Sequence, residues 1–67
     1  MTLLFKYKSF LVFETEKTVQ FVNGKIVKVL QIQDAHGNIM NKHAYSWGLN
    51  CFSKAQAKFF INNYLIN

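Results

Sequence analysis

The sequence lacks arginine and proline altogether, and it has one cysteine and three acidic residues. Because Cys51 has no second cysteine to pair with, an internal disulfide is excluded, and a reduced thiol in the cytoplasm is predicted. The acidic residues are Glu14, Glu16 and Asp34, which are too few to make a paired acid and base site easy to assemble. We therefore expect that the protein is not an enzyme and has no catalytic residues.

The absence of arginine also affects how the positive charge is interpreted. Eight lysines against three acidic residues give a net charge of +5, which favours polyanionic partners. Bidentate recognition of guanine most often uses arginine, whereas lysine serves as a point charge on phosphate, so mainly backbone contacts are expected. The alternative is that an AT-rich genome, such as that of a phage or another mobile element, supplies lysine without selection for a partner.

Long apolar runs are missing as well. No stretch approaches the roughly 20 apolar residues of a membrane span, so no membrane partner is predicted. Lys6 and Lys8 interrupt the apolar start of the chain and Phe10–Phe13 is short, so no secretory signal is predicted. With no linker or repeat, residues 1–67 are expected to form one domain. Half of the residues are apolar, which is enough for a core without a metal or cofactor.

The strongest local signal is Asn23-Gly24, which lies between the β-rich runs Lys17–Val22 and Lys25–Leu30. Two such runs joined by Asn-Gly predict a hairpin with a two-residue type I′ turn, because both central residues of that turn need positive φ. This turn would pair Val22 with Lys25 and set the register of both strands.

Other segments complete a predicted α+β fold. Leu3–Phe13 is expected to be the first strand, with Glu14-Thr15-Glu16 as a turn. Asp34–Asn38 predicts another turn, in which Gly37 or Asn38 takes positive φ, and Ile39–Trp47 predicts the last strand. Ser53 begins a capping box with Gln56, which opens a helix over Lys54–Ile66. The prediction is a four-stranded antiparallel β-meander with one C-terminal α-helix packed on one face, β-β-β-β-α.

The predicted register assigns side chains to the two faces of the sheet. It pairs Phe21 with Ile26 and Val19 with Lys28. The predicted core face holds Val19, Phe21, Ile26, Leu30, Ile32, Ile39, Tyr45 and Trp47, although Asn41 and His43 fall on the same side. The other face holds Thr18, Gln20, Val22, Lys25, Val27, Val29, Gln31, Gln33, Met40, Lys42, Ala44 and Ser46.

The polar face is the first candidate functional surface. We expect it to contact nucleic acid or a nucleoprotein complex through Lys25, Lys42, Gln20, Gln31 and Gln33, aided by Lys6 and Lys8. The alternative is the ordinary solvated face of an antiparallel sheet. Trp47 and Tyr45 could stack on bases, but their predicted core position favours packing.

The helix carries the second candidate surface. Its wide apolar arc is expected to pack on the sheet and consists of Ala57, Phe60, Ile61, Tyr64 and Leu65. A narrower arc elsewhere consists of Ala55, Phe59 and Ile66. If this arc is exposed, it predicts a protein-binding inhibitor or adaptor, acting on a host protein or defence system and associating with itself. The alternative is that another part of the chain covers it.

Nucleophile and metal chemistry are not predicted. Cys51 could be drawn beside His36 or His43 as a nucleophile and base, but the local sequence does not support this. The spacing of these residues and Asp34 matches no standard zinc pattern. We expect His36 in a turn, His43 in a strand and Cys51 as a small apolar residue.

One family resemblance concerns the start of the helix. Three strands followed by Cys51-Phe52-Ser53-Lys54-Ala55-Gln56-Ala57-Lys58-Phe59 resemble the arm-type DNA-binding modules of phage integrases, which enter their helix with Phe-Ser/Thr and carry Ala in its first turns. The resemblance covers about half of the chain, which departs from that pattern by lacking arginine and by an extra predicted N-terminal strand. It implies DNA binding.

Overall fold

The computed structural model describes residues 1–41 and 51–66. This part of the chain forms a three-stranded antiparallel sheet, ordered β1-β2-β3, followed by one short C-terminal helix. The elements are β1 (Thr2–Tyr7), β2 (Phe10–Gln20), β3 (Ile26–Gln33), α1 (Lys54–Phe60) and a π-helical segment (Ile61–Leu65). The prediction of four strands is therefore wrong, and its errors lie at both ends of the predicted meander.

At the N-terminal end, the predicted strand Leu3–Phe13 is two strands joined by a tight turn. Tyr7 pairs with Phe10, and the two residues between them, Lys8 and Ser9, have φ values of 48° and 70°. Positive φ at both central residues is the type I′ geometry. No residue type predicts this turn, because neither Lys8 nor Ser9 is a glycine, asparagine or aspartate.

The strained turn at Ser9 gives a first prediction. Ser9→Gly is expected to raise the free energy of unfolding by up to about 1 kcal/mol, because glycine adopts positive φ without steric cost. Gly24 has a φ of +88° with no atom within 4 Å of an added Cβ, so Gly24→Ala is expected to cost about 1 kcal/mol through the backbone alone. Urea denaturation measures both changes, and the same sign in the two variants would contradict the strain argument.

The predicted turn at Glu14-Thr15-Glu16 is also wrong, because these residues lie inside β2. The register between β2 and β3 shifts between Glu14 and Thr18, opposite Leu30 and Lys28, so β2 carries extra residues there. Thr15 stabilises this bulge, since its Oγ1 donates to the Val29 carbonyl oxygen at 2.7 Å and accepts from the Lys17 N–H at 3.2 Å. A polar cluster predicted to reverse the chain instead bends a long strand.

At the other end, only the first residue of the predicted fourth strand, Ile39, bridges the sheet among the described residues. The turn over Asp34–Asn38 is confirmed, with positive φ at Gly37 and an Asp34 carboxylate that accepts from the Asn38 and His36 N–H groups. Ile39 then bridges Gln33. A strand continuing from Ile39 would set residue 42 opposite Leu30, but Cys51 bridges Leu30 instead. The rest of the predicted strand, residues 42–47, lies outside the described residues.

The side chain of Asn41 forms the hydrogen bonds to β3 that the backbone of a neighbouring strand would form. Its Oδ1 accepts from the Ile32 N–H at 3.0 Å, and its Nδ2 donates to the Leu30 carbonyl oxygen at 3.1 Å. The residue is 1% exposed. Its predicted place on the core side is therefore correct, and its polarity is satisfied because the amide supplies the donor and acceptor that a neighbouring strand would offer.

The Asn23-Gly24 hairpin is confirmed, but its turn type and register are not. Only Gly24 of the pair has positive φ. The Phe21 N–H donates to the Lys25 carbonyl oxygen, and the Gly24 N–H donates to the Phe21 carbonyl oxygen. These two hydrogen bonds close a three-residue loop over 22–24. Gln20 consequently pairs with Ile26, one residue away from the predicted partner Phe21. One extra loop residue shifts the pairs between the loop and the bulge, Thr18–Lys28 to Gln20–Ile26, by one.

The core lies between α1 and the part of the sheet where all three strands meet. Leu30 and Ile32 are buried there as predicted, together with Val12 and Cys51. Because the hairpin extends beyond the helix, the predicted core residues Phe21 and Ile26 are 37% and 66% exposed. Ile39 is exposed and Val19 half-buried. Tyr45, Trp47 and His43 lie outside the described residues.

The helix begins where the capping signal predicted. The Gln56 N–H donates to Ser53 Oγ at 3.2 Å, while Gln56 Oε1 accepts from the Phe52 N–H, one residue further back than in a standard capping box. Ala57 and Ile61 are buried against the sheet. Tyr64, predicted in the same arc, is 57% exposed, although its ring lies 5.1 Å from that of Phe60. The helix ends in a π-turn, in which the Ile66 N–H donates to the Ile61 carbonyl oxygen.

Candidate binding surfaces

The register shift divides the predicted polar face between the two sides of the sheet. Directly opposite residues share a side, so Gln20 lies with Ile26 on the side that carries the core residues Leu30 and Ile32. Gln31 and Gln33 alternate with these core residues and lie on the side away from α1. Lys25 is exposed in the hairpin loop, and Lys42 lies outside the described residues. The predicted nucleic-acid residues therefore do not form one continuous field.

The side away from α1 is not fully solvated either. Val29, predicted to face solvent there, is fully buried. Gln33 Nε2 donates to Gln31 Oε1 at 2.7 Å, and both side chains are half-buried. Lys6 pairs with Leu11, which pairs with Gln33, so Lys6 and Gln33 occupy the same row on this side. Lys6 and Gln33 thus face the same side at this end of the sheet, on the two strands that flank β2, with Leu11 between them.

A second group of polar side chains gathers around Tyr7, where β1 turns into β2. The ammonium nitrogen of Lys8 lies 5.2 Å from the centroid of the Tyr7 ring, and that of Lys58 lies 5.5 Å from it. Lys58 is also 5.6 Å from the Phe5 ring centroid. Both distances to Tyr7 are within the range of cation–π attraction. One aromatic ring therefore holds two cations, one from a turn and one from the helix.

Asn62 connects the turn to the helical end of the chain. Its Oδ1 accepts from Lys8 Nζ at 2.8 Å and from the Tyr7 hydroxyl at 3.3 Å, and its Nδ2 donates to the Tyr7 hydroxyl oxygen at 3.1 Å. The hydrogen bond with Asn62 lowers the pKa of Tyr7 most, and the positive charges of Lys8 and Lys58 lower it further against the effect of burial. The phenol therefore reports on the charge of this cluster, which we call the Tyr7 cluster: Tyr7, Lys8, Lys58 and Asn62.

The sequence predicted only Lys8 of the Tyr7 cluster as a binding residue. Lys58 and Asn62 follow Lys8 by about fifty residues, and the contacts depend on a turn that the sequence did not reveal. One sequence feature could have indicated that Lys58 and Asn62 are close to the sheet. Both lie between the two apolar arcs of the helix, at the border of the side that packs on the sheet.

One acidic side chain, that of Glu14, is paired with a lysine outside the Tyr7 cluster. Glu14 Oε1 is 3.6 Å from Lys28 Nζ, beside an open cleft of about 320 Å³ whose floor includes Leu4, Leu30 and Phe52. That volume is at the lower end of small-molecule sites. Within residues 1–41 and 51–66, no three His, Cys, Asp or Glu side chains gather in a way that could hold a metal ion.

Cys51 is buried in the core, as predicted for a small apolar residue. Burial raises the pKa of its thiol, and a hydrogen bond with Asn41 opposes that effect. His36 lies in the exposed turn after Asp34, as predicted. His43 lies outside the described residues. Neither Cys51 nor His36 belongs to the Tyr7 cluster or to the row that contains Lys6 and Gln33.

The narrow apolar arc of the helix is exposed. Phe59 is 61% exposed and Ile66 48%, and Ala55 is exposed beside them. Among the described residues, neither Phe10–Phe13 nor Cys51-Phe52 covers this arc, and the rest of the other segment that could cover it, residues 47–50, lies outside the described part of the chain. Phe59 lies next in sequence to Lys58, so this apolar patch borders the Tyr7 cluster.

Comparison of the chain with protein-family models, with curated proteins and with solved structures finds no match. The resemblance to integrase arm-type modules gains no support from these comparisons. Within the described part of the chain, no helix is long and apolar enough to cross a membrane. The surfaces themselves are thus the basis for any functional proposal.

Proposed function

We propose that this protein binds nucleic acid, alone or in a nucleoprotein complex, as a small non-enzymatic regulatory factor. The contact surface is the end of the sheet at the β1–β2 turn. The observation that carries the proposal is the gathering of Lys8 and Lys58 at one ring, with Lys6 just before it in β1, in a chain of net charge +5.

The chemistry of this surface favours contacts with the phosphate backbone. Ammonium groups act as point charges on phosphate, and releasing the counterions of the polymer supplies most of the binding free energy. Lys6 lies on the opposite side of the sheet from the core, in the same row as Gln33 but two strands away, so a nucleic-acid strand passing around this end can meet cations on both sides. The glutamine amide can add a hydrogen bond but little sequence preference.

A charge-matched comparison tests the proposal. The triple variant Lys6→Gln, Lys8→Gln, Lys58→Gln is expected to lower affinity for a single-stranded oligonucleotide about 10- to 100-fold at low salt and to reduce the salt slope by about 2. The control variant changes Lys17, Lys25 and Lys54 to Gln, and so removes the same charge from other positions. Fluorescence anisotropy over a salt series measures both. Equal losses in the two variants, or no binding by the unaltered protein, would overturn the proposal.

A second candidate function is binding to a protein, including a second copy of this chain, through Ala55, Phe59 and Ile66. Its support is the exposure of Phe59 at 61%, on a helix whose opposite arc is packed against the sheet. An exposed aromatic side chain beside an aliphatic one is typical of the centre of a protein interface. An inhibitor or adaptor directed at a host factor would use this patch.

The patch gives its own prediction. Phe59→Ser is expected to abolish self-association while leaving the unfolding midpoint nearly unchanged, because little of the ring is buried within the monomer. Ile26→Ser serves as the control, since Ile26 is 66% exposed at the hairpin and lies outside the patch. Sedimentation velocity over a range of concentrations measures the oligomeric state. A protein that is monomeric at all concentrations, or one in which both variants dissociate, would count against this function.

A further inference from the structure

Within residues 1–41 and 51–66, the Tyr7 cluster gathers two positive charges and no carboxylate that pairs with them. Lys8 and Lys58 converge on one ring, yet neither ammonium group pairs with a carboxylate among the residues that the structure describes. The neighbouring ring of Phe5 adds a second aromatic contact to Lys58. Aromatic rings attract each cation, but they do not remove the repulsion between the two. Such an arrangement favours an anion that both ammonium groups can reach.

The hydrogen-bonding capacity of the two ammonium groups is largely unused. Each lysine ammonium carries three N–H donors. Lys8 uses one of them on Asn62 Oδ1, and Lys58 has no hydrogen-bond acceptor among residues 1–41 and 51–66. Among the described residues, most of these N–H groups therefore remain for a ligand rich in oxygen acceptors, such as a phosphate.

The backbone and Asn62 hold the cluster in place. Lys8 lies in the positive-φ turn, so the direction of its side chain is set by a backbone conformation that few residues adopt. Asn62 then fixes the position of the ammonium group through the 2.8 Å hydrogen bond. Asn62 is a positioning residue, and the strain in the turn is of the kind that concentrates at ligand sites.

We infer that Lys8 and Lys58 bind one phosphate group at the Tyr7 cluster, where both ammonium groups lie close to the Tyr7 ring. The shared chemistry is a tetrahedral phosphate oxyanion, either a free phosphate or part of a polynucleotide. The phosphate site deepens the proposed function. That a polynucleotide supplies the phosphate rests on the proposed function. It adds Lys58, Tyr7 and Asn62 as residues of the site.

Tyr7 supplies a direct readout of occupancy. The hydrogen bond with Asn62 lowers the pKa of its phenol most, and the two ammonium charges lower it further, so a phosphate that offsets these charges raises this pKa. The Tyr7 ¹³Cζ resonance can be followed by NMR as a function of pH, with and without inorganic pyrophosphate. We expect an upward shift with pyrophosphate, together with shifts of the backbone amide signals of Lys8, Ser9, Lys58 and Asn62.

Two variants and one control make the test decisive. Lys8→Gln and Lys58→Gln are each expected to weaken pyrophosphate binding about tenfold or more, whereas Lys54→Gln, on the same helix but outside the cluster, leaves it unchanged. Tyr7→Phe keeps the ring and is expected to keep binding. Amide spectra confirm that each variant is folded. No change at Tyr7 with pyrophosphate, or equal weakening in Lys54→Gln, would overturn the inference.

A single-stranded oligonucleotide distinguishes the source of the phosphate. If the oligonucleotide and pyrophosphate compete for the cluster, the site and the proposed function both hold. If pyrophosphate binds there and the oligonucleotide does not, the site holds and the proposed function fails. If the oligonucleotide binds equally well to the Lys8→Gln, Lys58→Gln double variant, the site is wrong and nucleic acid is bound elsewhere.

Discussion

Asn41→Ala is expected to lower the free energy of unfolding by about 3 kcal/mol, since two buried backbone groups lose their partners together. The Ile32 N–H and the Leu30 carbonyl oxygen both bond to the Asn41 amide, which is 1% exposed. A chain of this length has a total stability of only about 3–10 kcal/mol, so the variant is close to unfolding at ambient temperature. Urea denaturation monitored by circular dichroism measures the loss.

A matched asparagine provides the control. Asn63 Nδ2 donates to the Phe59 carbonyl oxygen from an exposed position, so Asn63→Ala is expected to change the stability by less than about 0.5 kcal/mol. If the two variants behave alike, Asn41 does not act as a substitute for a strand.

Asn41→Asp tests the same hydrogen bonds through pH. An ionised carboxylate keeps the acceptor for Ile32 but loses the donor to Leu30, and its burial is costly. Burial raises the pKa of this aspartate in the folded state above its unfolded value of about 3.9. The carboxyl that this substitution creates thus binds its proton more tightly in the folded than in the unfolded state. The free energy of unfolding of the variant, relative to the unaltered protein, therefore falls as pH rises through the folded pKa. The variant is therefore expected to be less destabilised at about pH 3.5 than at neutral pH.

Ile61→Ala is the second large effect, with an expected loss of about 3 kcal/mol. Ile61 is fully buried at the junction of α1 and the π-helical segment, where it packs against the sheet core around Val12 and Ile32. Removing three carbons leaves a cavity, and a core this small has little capacity to close it. Thermal and urea denaturation both register the change.

Ile66 is the natural comparison, because it carries the same side chain five residues later at 48% exposure. Ile66→Ala is expected to cost less than about 1 kcal/mol. A loss in Ile66→Ala as large as that in Ile61→Ala would mean that the helix packs on the sheet through its other arc.

Local signals in the sequence were reliable where one residue type sets one backbone geometry. Ser53 opened the helix, Gly37 took the positive φ of its turn, and the chain reversed at Asn23-Gly24. Leu30 and Ile32 were placed correctly in the core because alternation within one strand does not depend on its partner.

Errors arose where pairing between strands mattered. The hairpin loop has three residues rather than the predicted two, and an Asn-Gly pair is compatible with either length. The resulting change of register places Gln20 and Gln31 on opposite sides of the sheet, although they were predicted to share one. Lys8 and Ser9 form a turn because the strands on either side pair well, and that pairing overrides the preference of both residues for negative φ. The Tyr7 cluster depends on this turn, so the sequence alone could not predict it.

The Asn41 amide has a consequence for how the protein behaves at high concentration. Val29, Leu30 and Ile32 make the second half of β3 strongly apolar, and an open edge on such a strand would recruit strands from other molecules into fibrils. Between Leu30 and Ile32 the edge positions are already taken by the side chain of Asn41 and the backbone of Met40 and Cys51. The Asn41 amide thus closes the part of this edge between the two backbone contacts, and its loss would open that part of an apolar strand to other molecules.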